Sequence, residues 1–180
     1  MSQLAHFQLM ARYNAWMNDK LYEAAGQLSP QALSEDRRAF FPSILATLNH
    51  IALADIIWLK RFAEHPACAE LRAAISDLQR PAALDQLLFN TLAPLHALRS
   101  RLDGHISGWV AALTEADLEH VLAYSNMQGV LAQRPYASLM LHFFNHQTHH
   151  RGQASTLLHQ AGQDIGVTDL LALIADVEPR

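Results

Sequence analysis

His146 and His150 stand one helical turn apart in LMLHFFNHQTHHRGQASTLLHQA, which runs from Leu139 to Ala161. At helical period Leu139, Phe143, His146, His150, Ala154, Leu157 and Ala161 share one stripe, so both imidazoles lie in an otherwise apolar face. Side chains four apart on a helix have Cβ atoms ~5–6 Å from each other, and two imidazoles so placed can reach one ion at ~2.0–2.1 Å. A single ion would satisfy both rings at once. A lone His-x-x-x-His pair also arises by chance on surface helices, and the apolar flanks are what argue for metal ligands here.

A third ligand has to come from another helix. His50 sits well inside an apolar run, beside Thr47, Ala54 and Ile57 and off that run's main stripe. Taken alone, a histidine so placed is more often a packing group than a ligand. Three neutral imidazoles would leave an open coordination position, the catalytic rather than the structural pattern. Zinc and nickel are the expected ions, and imidazole also suits copper and iron.

Further residues are candidates for acid–base or orienting roles. His149 lies off the stripe centre, as does His142, and could shuttle protons or be plain surface. Asp55 points into an apolar stripe, where a carboxylate needs a partner or a raised pKa. Asn14 falls inside the stripe of the first helix, and a buried amide is commonly satisfied by its neighbours. Gln153, one turn beyond His150, could orient a ligand. His159 faces away, and no role is expected of it.

These residues need helices to position them. Phe7, Met10, Tyr13, Met17 and Leu21 predict a helix over 3–25 with Ser2 as N-cap. A polar connection follows, in which Ser29-Pro30 breaks the period. Ile44, Leu48, Ile51, Trp58 and Phe62 predict a second helix over 42–64, apolar on more than one side. After a connection with a turn near Leu71 to Leu78, an in-phase stripe from Leu84 to Leu113 predicts one long helix over 83–113, kinked at Pro94. Thr114 and Asp117 resemble a capping box. Residues 118–134 lose the period and read as a hairpin, Val121 to Ser125 and Val130 to Gln133, turned at Asn126 to Gly129. Pro135 starts the histidine helix, Gly162 ends it, and a short apolar helix is expected from Asp169 to Val177. The expected class is all-α: one four-helix bundle domain over 1–180, with long connections that permit crossovers.

The composition fits a buried core, with 51% hydrophobic and 17% charged residues among 180. The net charge of -4, without a Lys/Arg block, argues against nucleic acid. Cys68 is the one cysteine, so neither an internal disulfide nor a cysteine cluster for zinc is available. No signal peptide or membrane span is expected, and a reduced, cytoplasmic setting fits.

With these residues in place, the chain resembles the DinB/YfiT-like family of metalloenzymes, unrelated to the DNA polymerase that shares the name. The matching segments are YNAWMN (Tyr13 to Asn18), LNHIALADIIWLKRF (Leu48 to Phe62) and FNHQTHHRGQ (Phe144 to Gln153), trailed by QAGQDIGVTDLL. The resemblance implies a four-helix bundle, a homodimer, and one divalent ion on His50, His146 and His150. It also implies a metal-dependent transferase or hydrolase, with a low-molecular-weight thiol as a candidate cofactor. The alternative is a metal-holding stress-response dimer without turnover. Most members of the family have no assigned substrate.

Overall fold

The computed structural model describes residues 2–176. Serine side chains open three of its helices. Ser2 Oγ accepts from Ala5 N at 3.2 Å at the head of α1 (Gln3–Ala25). Ser43 Oγ accepts from Ala46 N at 3.1 Å at the head of α3 (Ile44–Phe62). Between them Ser29 Oγ accepts from Ala32 N at 3.2 Å and starts α2 (Pro30–Ser34), a short helix where only a connection was expected. Ser29-Pro30 is thus a helix start rather than a break: proline at the first helical position lacks an N–H that would have had no partner.

α3 is the central element, with every residue except Ala46 and Lys60 buried. α4 (Ala69–Ala74) is a short helix near the expected turn. α5 (Leu92–Ala112) corrects the expectation of a helix from residue 83. Residues 81–91 are irregular, and side chains of α3 take their backbone groups. Asn49 Oδ1 accepts from Leu88 N at 2.8 Å and Phe89 N at 3.0 Å, and Asn49 Nδ2 donates to Phe89 O at 3.0 Å. Thr91 is extended, so Pro94 falls in the first turn of α5. There it needs no N–H donor, and no kink has to be absorbed.

Thr114 N and Oγ1 both donate to Asp117 Oδ2, at 2.8 and 2.7 Å, before a 3-10 turn at Ala116–Glu119. Next, β1 (Val121–Ser125) pairs antiparallel with β2 (Leu131–Pro135), with Leu122 opposite Arg134. Asn126 Oδ1 accepts from Gln128 N and Val130 N, and Gly129 at φ +79° closes the turn, a conformation that costs a residue without Cβ little. α6 (Tyr136–Gln160) then carries the histidine stretch. Gly162, at φ +83°, ends it by donating to His159 O at 2.9 Å. The expected tail helix is a single 3-10 turn, Leu170–Leu173, with no buried residue. So short a segment needs tertiary burial to propagate as α-helix, and it has none. Val177, the end of that expectation, lies outside the described residues.

The protein is mostly helical, with six α-helices and one small sheet among the described residues. α1 and α3 each pack against both α5 and α6, so these four long helices form a ring in which α1 and α3 stand opposite. Within the ring lies a buried polar network that draws on all four. Arg99 of α5 is ion-paired with Asp55 of α3 at 2.5 Å and with Asp103 one turn along at 2.9 Å. Asn14 and Asn18 of α1 donate to Asp103 at 3.0 and 2.9 Å, and Arg151 of α6 donates to Asn14 Oδ1. Among the described residues no helix is long and apolar enough to cross a membrane.

Candidate metal centre

α3 and α6 run side by side, and their facing sides bring His50, His146 and His150 together. Each offers one ring nitrogen, and the three atoms lie within 4.8 Å of one another. Ring centroids are 4.4 Å apart for His146 and His150, 4.5 Å for His50 and His150, and 5.4 Å for His50 and His146.

Two of the three rings are held by their other nitrogen. His50 Nδ1 is 3.0 Å from Leu84 O, which can only accept, so Nδ1 carries the proton and Nε2 is bare. His150 Nδ1 is 2.8 Å from Gln153 Oε1, which fixes its Nε2 in the same way. Carbonyl acceptors behind the rings are the arrangement that orients histidine toward a metal.

The electrostatics agree with neutral imidazoles. His146 is pushed down to about 3, first by burial and then by the neighbouring His150 and His50. His50 and His150 are also lowered, chiefly by burial. His50 Nε2 is buried and has no hydrogen-bond partner among the described residues. A buried acceptor left bare costs stability unless something occupies it. A divalent ion fits this donor set: three neutral nitrogens, two pre-oriented, converging from two helices.

His50 and His150 open onto a cleft of about 520 Å³. Its apolar wall is Phe40, Phe41 and Leu84, and its polar groups are Asp85, His149 and Gln153. Phe41 lies nearly flat on His50, with centroids 3.9 Å apart and planes at 23°. It also meets His150 edge-on at 5.6 Å. The loop that carries Phe40 and Phe41 turns at Arg38, a non-glycine residue at φ +56°.

Residues 1–179 match the DinB family. The chain belongs to the DinB family. It is similar to Protein DinB of Bacillus subtilis (strain 168), with 25% identity over 158 residues, 87% of either chain.

In this DinB-family chain the other candidates part company. His149 lines the cleft, and its Nε2 is 3.3 Å from Gln153 Nε2. Asp55 and Asn14 belong instead to the buried polar network and do not line the cleft. Burial pushes the Asp55 carboxyl up, against the pull of the Arg99 guanidinium. His142 is exposed, 6.0 Å ring to ring from His146 and 5.0 Å from Trp58. His159 is exposed, as expected.

Several residues that shape the site were not singled out from the sequence. Phe41 sits in a segment without period, and Leu84 reads as the start of a helical stripe, so nothing local marks either as part of the site. Asn49 adjoins His50, but its job is visible only through a partner 39 residues away. Arg99 and Asp103 did leave a signal: two opposite charges four apart, within the stripe of Leu95, Leu102 and Ile106.

Proposed function

We propose that this DinB-family protein is a metal-dependent enzyme whose ion is held by His50, His146 and His150. The observation that carries the reading is the convergence of three ring nitrogens, one of them buried and bare, at the side of an open cleft. The ion, when bound, supplies Lewis acidity that lowers the pKa of a thiol or a water and makes it a nucleophile. Imidazole ligands suit both zinc and nickel.

The chain's own residues prepare that chemistry. The Leu84 carbonyl and Gln153 hold the rings of His50 and His150 in one tautomer. Phe41 shields the His50 ring from water, which strengthens electrostatic interactions beside it. Phe40 and Leu84 offer apolar contact to a small organic substrate. His149 is the one imidazole at the cleft outside the triad, which makes it the candidate to take or give a proton there. Asp55 and Asn14 are assigned to holding the helices in register. Transfer of a low-molecular-weight thiol to an electrophile is ranked above hydrolysis, since it asks less of the side chains.

The accompanying assembly is a single four-helix bundle domain that forms a homodimer in the cytoplasm and binds neither nucleic acid nor membrane. The all-round apolarity of α3 is met within one chain, so the homodimer rests on the family resemblance alone. A scattering mass near twice 20.1 kDa checks it.

Elemental analysis of purified protein, with and without His146→Ala, tests the centre. Stoichiometric metal in the parent and its loss in the variant are expected. A metal-free parent that takes up no zinc or nickel on reconstitution ends the reading. Metal-loaded protein assayed with thiols and electrophilic acceptors then separates an enzyme from a metal-holding dimer without turnover.

A further inference from the structure

Arg61, in the last turn of α3, is only 7% exposed. Its guanidinium lies over the corner formed by two adjoining aromatic rings, with Cζ 4.6 Å from the Trp58 centroid and 4.9 Å from that of Tyr124, the two centroids being 5.7 Å apart. Its Nε is buried without a hydrogen-bond partner, and among the described residues no carboxylate pairs with it. The other buried arginines differ: Arg99 has two carboxylates and Arg151 has the Asn14 carbonyl. A guanidinium removed from water without a counter-charge is costly, and aromatic faces offset only part of that.

The surroundings add positive charge rather than relieve it. Arg80, from the segment after α4, and Arg134, on β2, are both exposed nearby. Arg80 acts on Arg61 after burial and Tyr124, while Arg61 and Arg134 act with burial on His142. No acidic group figures among these influences, in a chain whose net charge is -4. His142 stands one turn before His146, and its ring touches Trp58 on one side and approaches His146 on the other. The row Arg61, Trp58, His142, His146 therefore leads from the cationic patch to the histidine cluster.

We propose that Arg61, with Arg80, Arg134 and His142 around it, is a binding site for an oxyanion, the carboxylate or phosphate group of a substrate that extends past His142 to the metal centre. The Trp58 and Tyr124 rings back the guanidinium from one side, and its planar fork matches the paired oxygens of either group. The role toward a substrate rests on the metal-dependent reading above, while anion binding as such does not.

Isothermal titration of the metal-free full-length chain with inorganic phosphate, and separately with succinate, at fixed ionic strength, reads the site. Saturable one-to-one binding of at least one anion is expected, and whichever binds more tightly identifies the headgroup. Arg61→Met should weaken it tenfold or more. Arg134→Gln, an exposed change, should weaken it severalfold and stands in if Arg61→Met fails to fold. His146→Ala should lose metal and keep the anion, so failure of the metal centre and failure of this site are told apart. Absence of saturable binding in the parent, or equal affinity in the parent and the folded variants, overturns the proposal.

Discussion

The carbonyl oxygen of Leu84 accepts from His50 Nδ1 at 3.0 Å across 34 residues of sequence. Asn49, the residue before His50, holds the same segment through Leu88 and Phe89. One turn of α3 thus both presents an imidazole and clamps the backbone that orients it. Asn49→Ala is expected to weaken zinc affinity about 10–100-fold, the usual effect of losing an orienting partner behind a ligand. Competition titration against a chromophoric chelator measures it. A fall in thermal stability with zinc affinity unchanged would show that Asn49 serves the loop alone.

Metal removal should lower stability by mass action. At a free ion concentration a hundredfold above Kd, a bound ion stabilises the folded state by about 2.7 kcal/mol. Calorimetry with and without chelator should show that difference in the parent and none in His150→Ala. Equal melting temperatures for loaded and stripped parent would count against a site of useful affinity.

Asp55→Ala should be among the most damaging single changes. It leaves Arg99 buried and short of one of its two carboxylates, a situation that costs about 3–5 kcal/mol. Asp77→Ala, which breaks an exposed pair with Arg101, should cost far less. Urea melts of the two variants compare them directly. Similar midpoints would mean that the network adds little to holding the helices together.

Pro94 offers a test of where α5 begins. In the first turn its replacement by alanine should change stability by less than about 1 kcal/mol, whereas proline placed at Leu98, inside the helix, should cost about 3 kcal/mol or more. A large effect of Pro94→Ala would instead indicate a helix running through residues 83–94.

Much of this protein was legible residue by residue. Helix ends at Ser2, Ser43 and Gly162 follow from short-range capping, in which a side chain or a left-handed backbone satisfies groups within a few residues. The spacing of His146 and His150 and the apolar stripes of the long helices are likewise local, since helical periodicity is a property of neighbours on one face. The irregular path of 81–91 escaped because its stripe was in phase with α5, while the partners for its backbone lie on α3.

The sequence by itself determined which segments could be helical, which faces had to be buried, and that two histidines would share one of those faces. Gln153, one turn from His150, was already legible as an orienting group, and only the tertiary structure decided that His50 meets the pair, that Leu84 sets the His50 ring, and that Arg99 joins Asp55 and Asp103 inside the ring of helices. Those outcomes depend on pairs as distant as Asn14 and Arg151, 137 positions apart. Local spacing constrains what one helix can present, while packing of the buried faces against each other selects what it meets.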